Sequence, residues 1–510
     1  MALADAAPVR RNATPTSSGK PSSIRWVVCG LLFFAATINY IDRNVLAVLK
    51  APLTTEFGWT NTDFGYINFF FQVAYMVGML ASGWLIDKIG TRRGLAIAIC
   101  LWSVAAMLHA EAPIIGNAVQ GAFGSLGLTM AASVAGFAFC RVLLGLGEAA
   151  IFPGSVRSIA EWFPQRERAF ATGLFNAGTN IGALATPIIV PMITIRYGWY
   201  WAFLGTGLVG FLWLGVWLWQ YRTPRTHPGV NAAELALIES DPPDGAAFKV
   251  PGLAMAGIVA AVCFVSGLVA ATFFGSRLLA VALFSTGLIT AIVLNPRRQV
   301  WAYAVGKFMT DPVWWLYLTW LPDFLVKAHH VDIRSAMLPL ATIYLVADIG
   351  SVLGGYVSSK LIQRGFSVNV ARKLTMLCFA VSVTPIVFAA QVDSLWGAVA
   401  LVSIAASGHQ AWSANLYTLV SDMFPRRAVG SVIGFGAMMG ACGGAMMQIA
   451  VGVWLDASNN NYVPIFIAAG TLYLLASADA ALAPRRGAMP SGASPDVRAH
   501  RPRGREPVPL

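Results

Sequence analysis

The sequence predicts an all-α integral membrane protein with fourteen membrane-spanning helices: two six-helix halves and two further apolar segments between them. Hydrophobic residues make up 57% of the 510 residues and charged residues only 11%, far below the roughly 25% of a soluble domain. Apolar runs of about 20 residues, long enough to cross a bilayer as helices, recur along nearly the whole chain. Related motifs also recur in its first and second parts.

The N-terminal half is predicted to cover residues 24–220, with spans at 25–49, 64–87, 94–110, 133–156, 169–194 and 199–220. The preceding residues 1–23 are rich in Ala, Pro and Ser, and no apolar core precedes a cleavage site. This pattern predicts a disordered cytoplasmic tail rather than a signal peptide. After the half, the polar, Pro-containing residues 221–250 predict a cytoplasmic linker with a short surface helix from Asn231 to Ser240.

Residues 251–294 are predicted to add two apolar segments, at 251–272 and 277–294, which would form a lipid-facing hairpin or an interaction surface. The C-terminal half, residues 295–481, is predicted to span the membrane at 300–326, 335–361, 373–391, 395–420, 428–453 and 462–481. Residues 482–510 form a second disordered cytoplasmic tail. An even number of added spans leaves the second half correctly oriented.

The positive charge of the chain, a net +12, is explained by membrane orientation. Lys and Arg are concentrated in the loops on the side of the N-terminal tail, which by the positive-inside rule places both termini in the cytoplasm. Nucleic acid is therefore not an expected partner. The six cysteines lie singly in apolar segments, and no catalytic motif is found, so neither an enzyme, a cofactor nor a metal site is expected.

An internal repeat supports the two-half plan. EWFPQR at residues 161–166 closes the fourth span, and DMFPRR at residues 422–427 closes a corresponding later span. Each motif precedes a Gly-rich span. Repeats of this kind are typical of transporters that arose by duplication.

The first span contains INYIDRN, residues 38–44, with Asp42 and Arg43 side by side. Ionisable side chains at membrane depth are costly and indicate function by default. Adjacent helical residues point about 100° apart, so we expect the two side chains to reach different partners.

Arg141 and Glu148 lie seven residues apart in the fourth span, which is two turns along one helix face. A carboxylate beside an arginine could carry a proton whose binding depends on whether the arginine is engaged. A static ion pair would explain the spacing as well.

Polar residues follow one face of the second span at Asn68, Gln72 and Tyr75, and the fifth span adds Asn176 and Asn180. Together they predict a polar cavity, although interhelical hydrogen bonding explains the two asparagines equally well. Candidates in the C-terminal half are Lys307, Asp311, Tyr317, Trp320, Asp348, His409, Gln410, Trp412 and Asn415. Lys307 and Asp311 could simply satisfy each other, and the aromatic residues could simply pack.

These motifs resemble a known family. GWLIDKIGTRR, residues 83–93, resembles the loop signature of the major facilitator superfamily. NYIDRN, RVLLGLGEAAIFPGSVRSIAEWFP, FNAGTNIGALATP and KFMTDPVWWLYLTWLP are similar to the anion:cation symporter branch, and to bacterial hexuronate transporters in particular. The resemblance implies the major facilitator fold and proton-coupled import of a sugar-acid monoanion, such as glucuronate or galacturonate, by alternating access. That family has twelve spans, so residues 251–294 depart from it.

The resemblance also implies roles for single residues. Asp42 and Glu148 correspond to protonation sites, Arg43 to the group that holds the substrate carboxylate, and Arg141 to its charge partner. The predicted substrate site is completed by Tyr40, Gln72, Tyr75, Asn180, Trp320, Trp412 and Asn415. Asp87 corresponds to the carboxylate that locks the cytoplasmic gate, with Arg92 and Arg93 in the same loop.

The expected partners are a small organic anion, a proton and the lipid bilayer, for a monomer in a bacterial inner membrane. Glucarate, galactonate or an aromatic acid such as phthalate are alternative substrates. A transporter-like sensor is a further alternative, which lacks support because no soluble signalling domain is predicted.

Overall fold

The computed structural model describes residues 20–125, 129–240, 252–273, 277–295, 297–332, 334–424 and 426–482. Most of both predicted tails, and residues 241–250 of the predicted linker, lie outside these ranges. The described chain forms eighteen α-helices with three short 3-10 segments at His109–Glu111, Pro224–Thr226 and Thr384–Gln391. Within these ranges no residue is in a β-strand, as an all-α prediction requires.

The helices fall into three groups along the chain. The N-terminal half contains α1 (Ile24–Val48), α2 (Lys50–Phe57), α3 (Asn61–Ile89), α4 (Thr91–Leu108), α5 (Ala112–Ser125), α6 (Ala132–Glu148), α7 (Ile151–Trp162), α8 (Gln165–Tyr197) and α9 (Trp199–Gln220). The middle contains α10 (Ala232–Ile238), α11 (Leu253–Phe273) and α12 (Arg277–Leu294). The C-terminal half contains α13 (Arg298–His329), α14 (Met337–Gln363), α15 (Val368–Val383), α16 (Leu395–Met423), α17 (Arg426–Ala457) and α18 (Val463–Leu482).

The prediction of fourteen spans is wrong. In the described part of the chain, eight helical stretches are long and apolar enough to cross a membrane: Ile24–Val48, Thr91–Ser125, Ala132–Trp162, Phe170–Tyr197, Trp199–Gln220, Met337–Gln363, Val368–Gln391 and Val432–Ala457. The helices α3 and α13, with 29 and 32 residues, are long enough to cross a membrane but are not among these eight. The two additional segments form α11 and α12, which are 21 and 18 residues long, and the described apolar stretches within them are Met255–Gly267 and Val281–Leu294.

Prolines follow two helix ends, one of which interrupts a span that the sequence predicted to be continuous. The predicted fourth span, 133–156, is interrupted after Glu148, and the predicted first span ends at Val48, where α2 begins two residues later. A proline has no backbone N–H to donate to the carbonyl of the residue four positions earlier, and its ring clashes with that carbonyl. Pro153 and Pro52 lie at the required distance after these breaks. Glu148 and Lys50 therefore stand at helix ends.

After the third predicted span, Ala112–Ser125 form α5, which packs against α6. The two backbones approach so closely that a Cβ on Gly116 would lie 1.7 Å from the Ala132 carbonyl oxygen. The predicted linker helix is confirmed as α10, whose first turn is capped by the Asn231 side chain. Glu234 in α10 pairs with Arg25 at 3.0 Å, which holds the described part of the linker against the start of α1.

The two halves pack against each other mainly through three helix pairs, and α2 also contacts α13. These are α3 with α17, α8 with α14, and α1 with α13. Within the N-terminal half α1 packs on α8 and α3 on α6, while α14 packs on α16 in the C-terminal half. The helices α11 and α12 pack together, and α11 also contacts α17. The three interface pairs enclose the polar residues described next.

Candidate functional site

A buried ion pair joins α1 to α6. The Nε of Arg43 donates to Glu148 Oε2 at 2.7 Å, and the side chains are 4% and 0% exposed. A second guanidinium nitrogen, Nη2, donates to Asn39 Oδ1 at 3.3 Å. Removing one partner of such a pair would leave an uncompensated buried charge, which is strongly unfavourable. The charge on Arg43 is therefore balanced by a carboxylate at the end of α6.

Four aromatic rings surround the guanidinium of Arg43. Its Cζ lies 4.7 Å from the ring centre of Tyr75, 4.8 Å from Tyr40, 5.2 Å from Trp315 and 5.4 Å from Phe71. Aromatic faces attract cations, and most strongly where water is excluded. Trp315 belongs to α13, so both halves of the protein contribute to this cage of rings.

Arg141 is the second cation of the site. Its Nη1 donates to the backbone carbonyl of Arg43 at 3.0 Å, so it braces α1 rather than pairing directly with Glu148. Three buried polar atoms near it have no hydrogen-bond partner among the described residues: Arg141 Nε, Glu148 Oε1 and Gln72 Oε1. Unsatisfied buried polar atoms are unfavourable and rare. A carboxylate oxygen could accept from Arg141 Nε, and hydroxyl groups could donate to the two side-chain oxygens.

An enclosed cavity lies between the two halves beside these arginines. It is lined by Arg43, Asn44, Ala47, Asn68, Phe71, Gln72, Arg141, Trp315, Thr319 and Gln448. Its volume of about 10 Å³ is enough for roughly one water molecule. The cavity is therefore too small to hold a sugar-sized ligand in this conformation.

Asp42 is buried on α1 where this helix packs against α9. The carboxylate is 3% exposed, and neither oxygen makes a hydrogen bond to a described residue. Asp42 and Arg43 thus have different surroundings, one at the α1–α9 contact and the other in the cage of rings. A buried carboxylate without a partner is a natural acceptor for a proton.

Three predicted residues of the C-terminal half lie away from this cluster. The indole nitrogen of Trp320 donates to Gln448 Oε1 at 2.7 Å. Trp412 is fully buried inside the C-terminal half, where it donates to Ser477. Asn415 donates to the Gly354 carbonyl at 3.0 Å and so joins α16 to α14. Each makes contacts that stabilise helix packing.

The remaining predicted residues are also separate from the ion pair. Asn180 is partly buried and accepts a hydrogen bond from Thr179 at 3.3 Å. Arg92 donates to the Leu218 carbonyl, and Arg93 is exposed. The side chain of Asp87 lies outside the described part of the structure, so the predicted gate cannot be placed.

A second polar cluster, absent from the sequence-based predictions, seals one end of the interface. Lys50 on α2 pairs with Asp323 on α13 at 2.7 Å, both almost fully buried. Lys327 pairs with the same carboxylate at 3.3 Å and donates to Asn61 at 2.7 Å. Asn61 in turn donates to Asp456 at 2.8 Å. We call this end of the molecule the closed end.

The backbones of α3 and α17 also meet at the closed end. A Cβ on Gly65 would lie 2.6 Å from the Gln448 carbonyl oxygen, and one on Gly452 would lie 2.6 Å from that of Asn61. Real Cβ atoms do not approach so closely, so these glycines let the two halves touch without a gap. Water is thereby kept from the arginines on this side.

Several residues of the site were missed by the sequence reasoning: Phe71, Gln448, Lys50, Asn61 and Asp323. Gln448 is a lone amide in the apolar stretch GACGGAMMQIA, and Asp323 lies inside WLPDFLV. A polar residue inside an apolar span was the available signal for both. Among the described residues no group of three His, Cys, Asp or Glu side chains could hold a metal ion.

Comparisons with known proteins find related transporters, among them the three that follow. The chain is 28% identical over 467 residues to a protein of Bacillus subtilis named a probable galactarate/D-glucarate transporter, covering 91% of this chain and 93% of that one. It is 28% identical to the D-galactonate transporter of Escherichia coli over 86% of this chain and 91% of the relative. It is 27% identical to the hexuronate transporter of Escherichia coli, with 89% and 93% covered.

Solved structures share the fold. A bacterial homolog of the human lysosomal transporter Spinster, in an inward-facing and occupied conformation, aligns with a TM-score of 0.62 at 17% identity, covering 91% of this chain and 97% of that one. A D-xylose-proton symporter aligns with a TM-score of 0.60 at 16% identity, covering 90% and 97%. These structural similarities support the two-half transporter architecture and contradict the prediction of fourteen spans.

The model of the Major Facilitator Superfamily matches residues 32–448, which include both halves. The sugar-acid transporters among the relatives confirm the resemblance that the motifs indicated. The chain therefore belongs to the major facilitator superfamily, whose members are multi-pass membrane transporters and not enzymes.

Proposed function

We propose that this protein is a proton-coupled symporter that imports a sugar-acid monoanion, a hexuronate such as glucuronate or galacturonate, across a bacterial inner membrane. The observation that carries the proposal is the buried pair of Arg43 and Glu148 inside a cage of rings. Two of the relatives are named as transporters of sugar acids of this kind, D-galactonate and hexuronate. The pair combines a group that binds a carboxylate with one that binds a proton.

Coupling follows from competition for one cation. While Glu148 is ionised, its carboxylate occupies Arg43. Protonation of Glu148 weakens that ion pair and leaves the guanidinium free to bind a substrate carboxylate, with two parallel hydrogen bonds where geometry allows. Asp42, buried beside the pair, provides a second proton acceptor. Proton and anion thus bind together because each lowers the cost of the other.

The hydroxyl groups of the substrate have partners close to Arg43. Tyr40 and Tyr75 offer hydroxyls and ring faces, and Gln72 offers an amide oxygen without a described partner. Pockets for small molecules combine apolar walls with a few such polar groups. Arg141 adds positive charge and holds the α1 backbone.

The closed end faces outward if the N-terminus is cytoplasmic. Lys50 follows α1 and Asn61 begins α3, so this end lies opposite the start of α1 at Ile24. The ion pair of Lys50 with Asp323 then seals the site from outside, and the conformation is one that releases substrate inwards. A monomer suffices for this scheme, since both halves of the site belong to one chain.

Uptake into membrane vesicles tests the proposal. Labelled glucuronate is supplied with and without an imposed pH gradient to the wild type, to Glu148→Gln and to Glu239→Gln. Glu239 pairs with Arg225 on the exposed linker and serves as the matched control. We expect gradient-driven accumulation by the wild type and the control. Glu148→Gln should retain exchange of internal for external substrate but lose accumulation.

Two outcomes would overturn the proposal. Wild-type protein that accumulates no hexuronate under a gradient excludes the substrate class. Accumulation by Glu148→Gln equal to that of the wild type would exclude this carboxylate as the coupling group.

A further inference from the structure

A second ion pair lies in the C-terminal half, outside the cluster described above. Lys307 and Asp311, one turn apart on α13, pair at 2.7 Å. Lys307 also donates to the hydroxyl of Tyr417 on α16 at 2.9 Å and lies 4.5 Å from the centre of its ring. The three side chains form a unit that neither the proton-coupling scheme nor the closed end uses.

This unit faces the substrate site from across the interface. Asp311 lies one helical turn before Trp315 on α13, and the ring of Trp315 belongs to the cage around Arg43. Tyr417 is 37% exposed, so its side chain is not fully enclosed by the neighbouring helices. A ligand whose carboxylate binds Arg43 would extend its other end towards Tyr417.

Helix stability alone is a weak reason for such a pair. A surface pair one turn apart contributes only about 0.2–0.5 kcal/mol, while desolvating two charges at membrane depth costs more. The Lys307 side chain is 4% exposed and that of Asp311 is 18% exposed. The hydroxyl of Tyr303, which interacts with Lys307, is buried without a described hydrogen-bond partner. This region therefore contains more buried polar groups than the ion pair alone requires.

The opposite helix is shaped around Asp311. A Cβ on Gly440 of α17 would lie 2.2 Å from Asp311 Oδ2. Only a residue without a side chain leaves room for the carboxylate at this position. The carboxylate therefore lies between Lys307 and the α17 helix at Gly440.

Charge counting shows what the pair would recognise. In the N-terminal half Arg43 and Arg141 are balanced by Asp42 and Glu148. Protonation of Glu148 with Asp42 still ionised leaves one positive charge in excess, which the single carboxylate of a monoanion neutralises. A second carboxylate would meet Lys307 already paired with Asp311. A hydroxyl group, in contrast, can accept a hydrogen bond from the ammonium and donate one to the carboxylate.

We propose that Lys307, Asp311 and Tyr417 bind the hydroxyl-bearing end of the sugar acid and restrict the carrier to monoanions, excluding sugar diacids. This inference rests on the proposed function and specifies its substrate class. Asp311 acts as the discriminating residue because its negative charge cancels the cation that a second carboxylate would need.

Competition in vesicles tests the inference. Uptake of labelled glucuronate under a pH gradient is measured against rising unlabelled glucarate or unlabelled glucuronate, for the wild type, Asp311→Asn and Asp393→Asn. Asp393 lies in an exposed loop and is the control for loss of one charge. In the wild type and the control glucarate should compete poorly. In Asp311→Asn the unpaired Lys307 should improve the competition by glucarate, relative to glucuronate, by about tenfold.

The outcomes separate this inference from the proposed function. Wild-type vesicles that accumulate no glucuronate refute the proposed function itself. If the wild type accumulates glucuronate but glucarate competes no better in Asp311→Asn than in the wild type, only the inference is refuted. Strong competition by glucarate in the wild type refutes the inference as well.

A second variant applies if Asp311→Asn does not reach the membrane. The double variant Lys307→Gln with Asp311→Asn carries no unpaired charge. We expect it to raise the KM for glucuronate by about tenfold, through lost charge-assisted hydrogen bonds, without gaining glucarate competition. An unchanged KM would overturn the role of the pair.

Discussion

The two buried ion pairs of Arg43 with Glu148 and of Lys50 with Asp323 have the same length, 2.7 Å, and similar burial. They differ in which helices they join. Arg43 and Glu148 both belong to the N-terminal half, whereas Lys50 belongs to the N-terminal half and Asp323 to the C-terminal half. A rigid-body motion of one half against the other keeps the first pair intact and must break the second.

This difference separates binding from gating. A pair within one half can respond only to a ligand or a proton, because motion of the halves does not strain it. A pair between the halves contributes to the balance between conformations, since it exists in only one of them. The predictions below are ordered from the largest expected effect to the smallest.

Replacing Arg43 with Gln should have the largest effect. The substitution leaves Glu148 buried without its cation, which typically costs about 3–5 kcal/mol, and removes the proposed anion-binding group. We expect glucuronate uptake to fall by at least about 100-fold, measured as initial rates in vesicles at equal protein level. Arg225→Gln in the exposed linker is the control. Uptake within threefold of the wild type would show that Arg43 does not bind the anion.

Replacing Asp323 with Asn should shift the protein towards a state that opens at the closed end. Lys50 and Lys327 would lose the carboxylate they share. We expect a cysteine at position 51, created by Ala51→Cys in the lining of the closed end, to react about tenfold faster with a membrane-impermeant thiol reagent. The neutralisation Asp332→Asn, in an exposed loop, should leave the rate unchanged. Equal rates in both variants would show that the pair does not hold this end shut.

The cage of rings predicts a graded effect at Tyr75. Tyr75→Phe retains the ring face 4.7 Å from Arg43, whereas Tyr75→Leu removes it. A cation–π contact is typically worth about 0.5–2 kcal/mol, so the KM for glucuronate should rise several-fold more in the Leu variant. If the Phe variant is as impaired as the Leu variant, the hydroxyl rather than the ring is the important group.

Asn415 should show the smallest effect on transport. Its side chain joins α16 to α14 through the Gly354 carbonyl, away from Arg43. We expect Asn415→Ala to lower the free energy of unfolding by about 1 kcal/mol, seen as a lower melting temperature in detergent, and to change the KM for glucuronate less than about twofold. A tenfold rise in KM would favour the role in the sugar site that the family resemblance implies.

The sequence alone identified the helical membrane fold and most polar residues of α1, α3 and α6. Charged residues such as Arg43 and Glu148 stand out in apolar spans because burial without a purpose is costly. The partner of Glu148 could not be found in this way. Spacing along one helix suggested Arg141, but tertiary packing brings Arg43 from another helix to 2.7 Å.

Other differences have physical causes that the sequence contained. Pro153 marked the break after Glu148, since a proline disrupts the preceding turn. The span count relied on apolar runs alone, although α13 crosses the interior of the protein with charged residues such as Lys307 and Asp323 facing other helices. Trp412 and Asn415 could not be assigned, because a side chain that packs and one that binds a sugar look alike in sequence.

The small cavity beside Arg43 and Gln448, which has room for about one water molecule, affects how readily protons can leak through the protein. Protons cross a protein without cargo most readily along a continuous chain of water molecules. A space of about 10 Å³, closed above by the contact of α3 with α17, interrupts such a chain between the arginines and the closed end. Excluding water in this way prevents unproductive proton flow. The dry contact would therefore conserve the ion gradient while the carrier is empty.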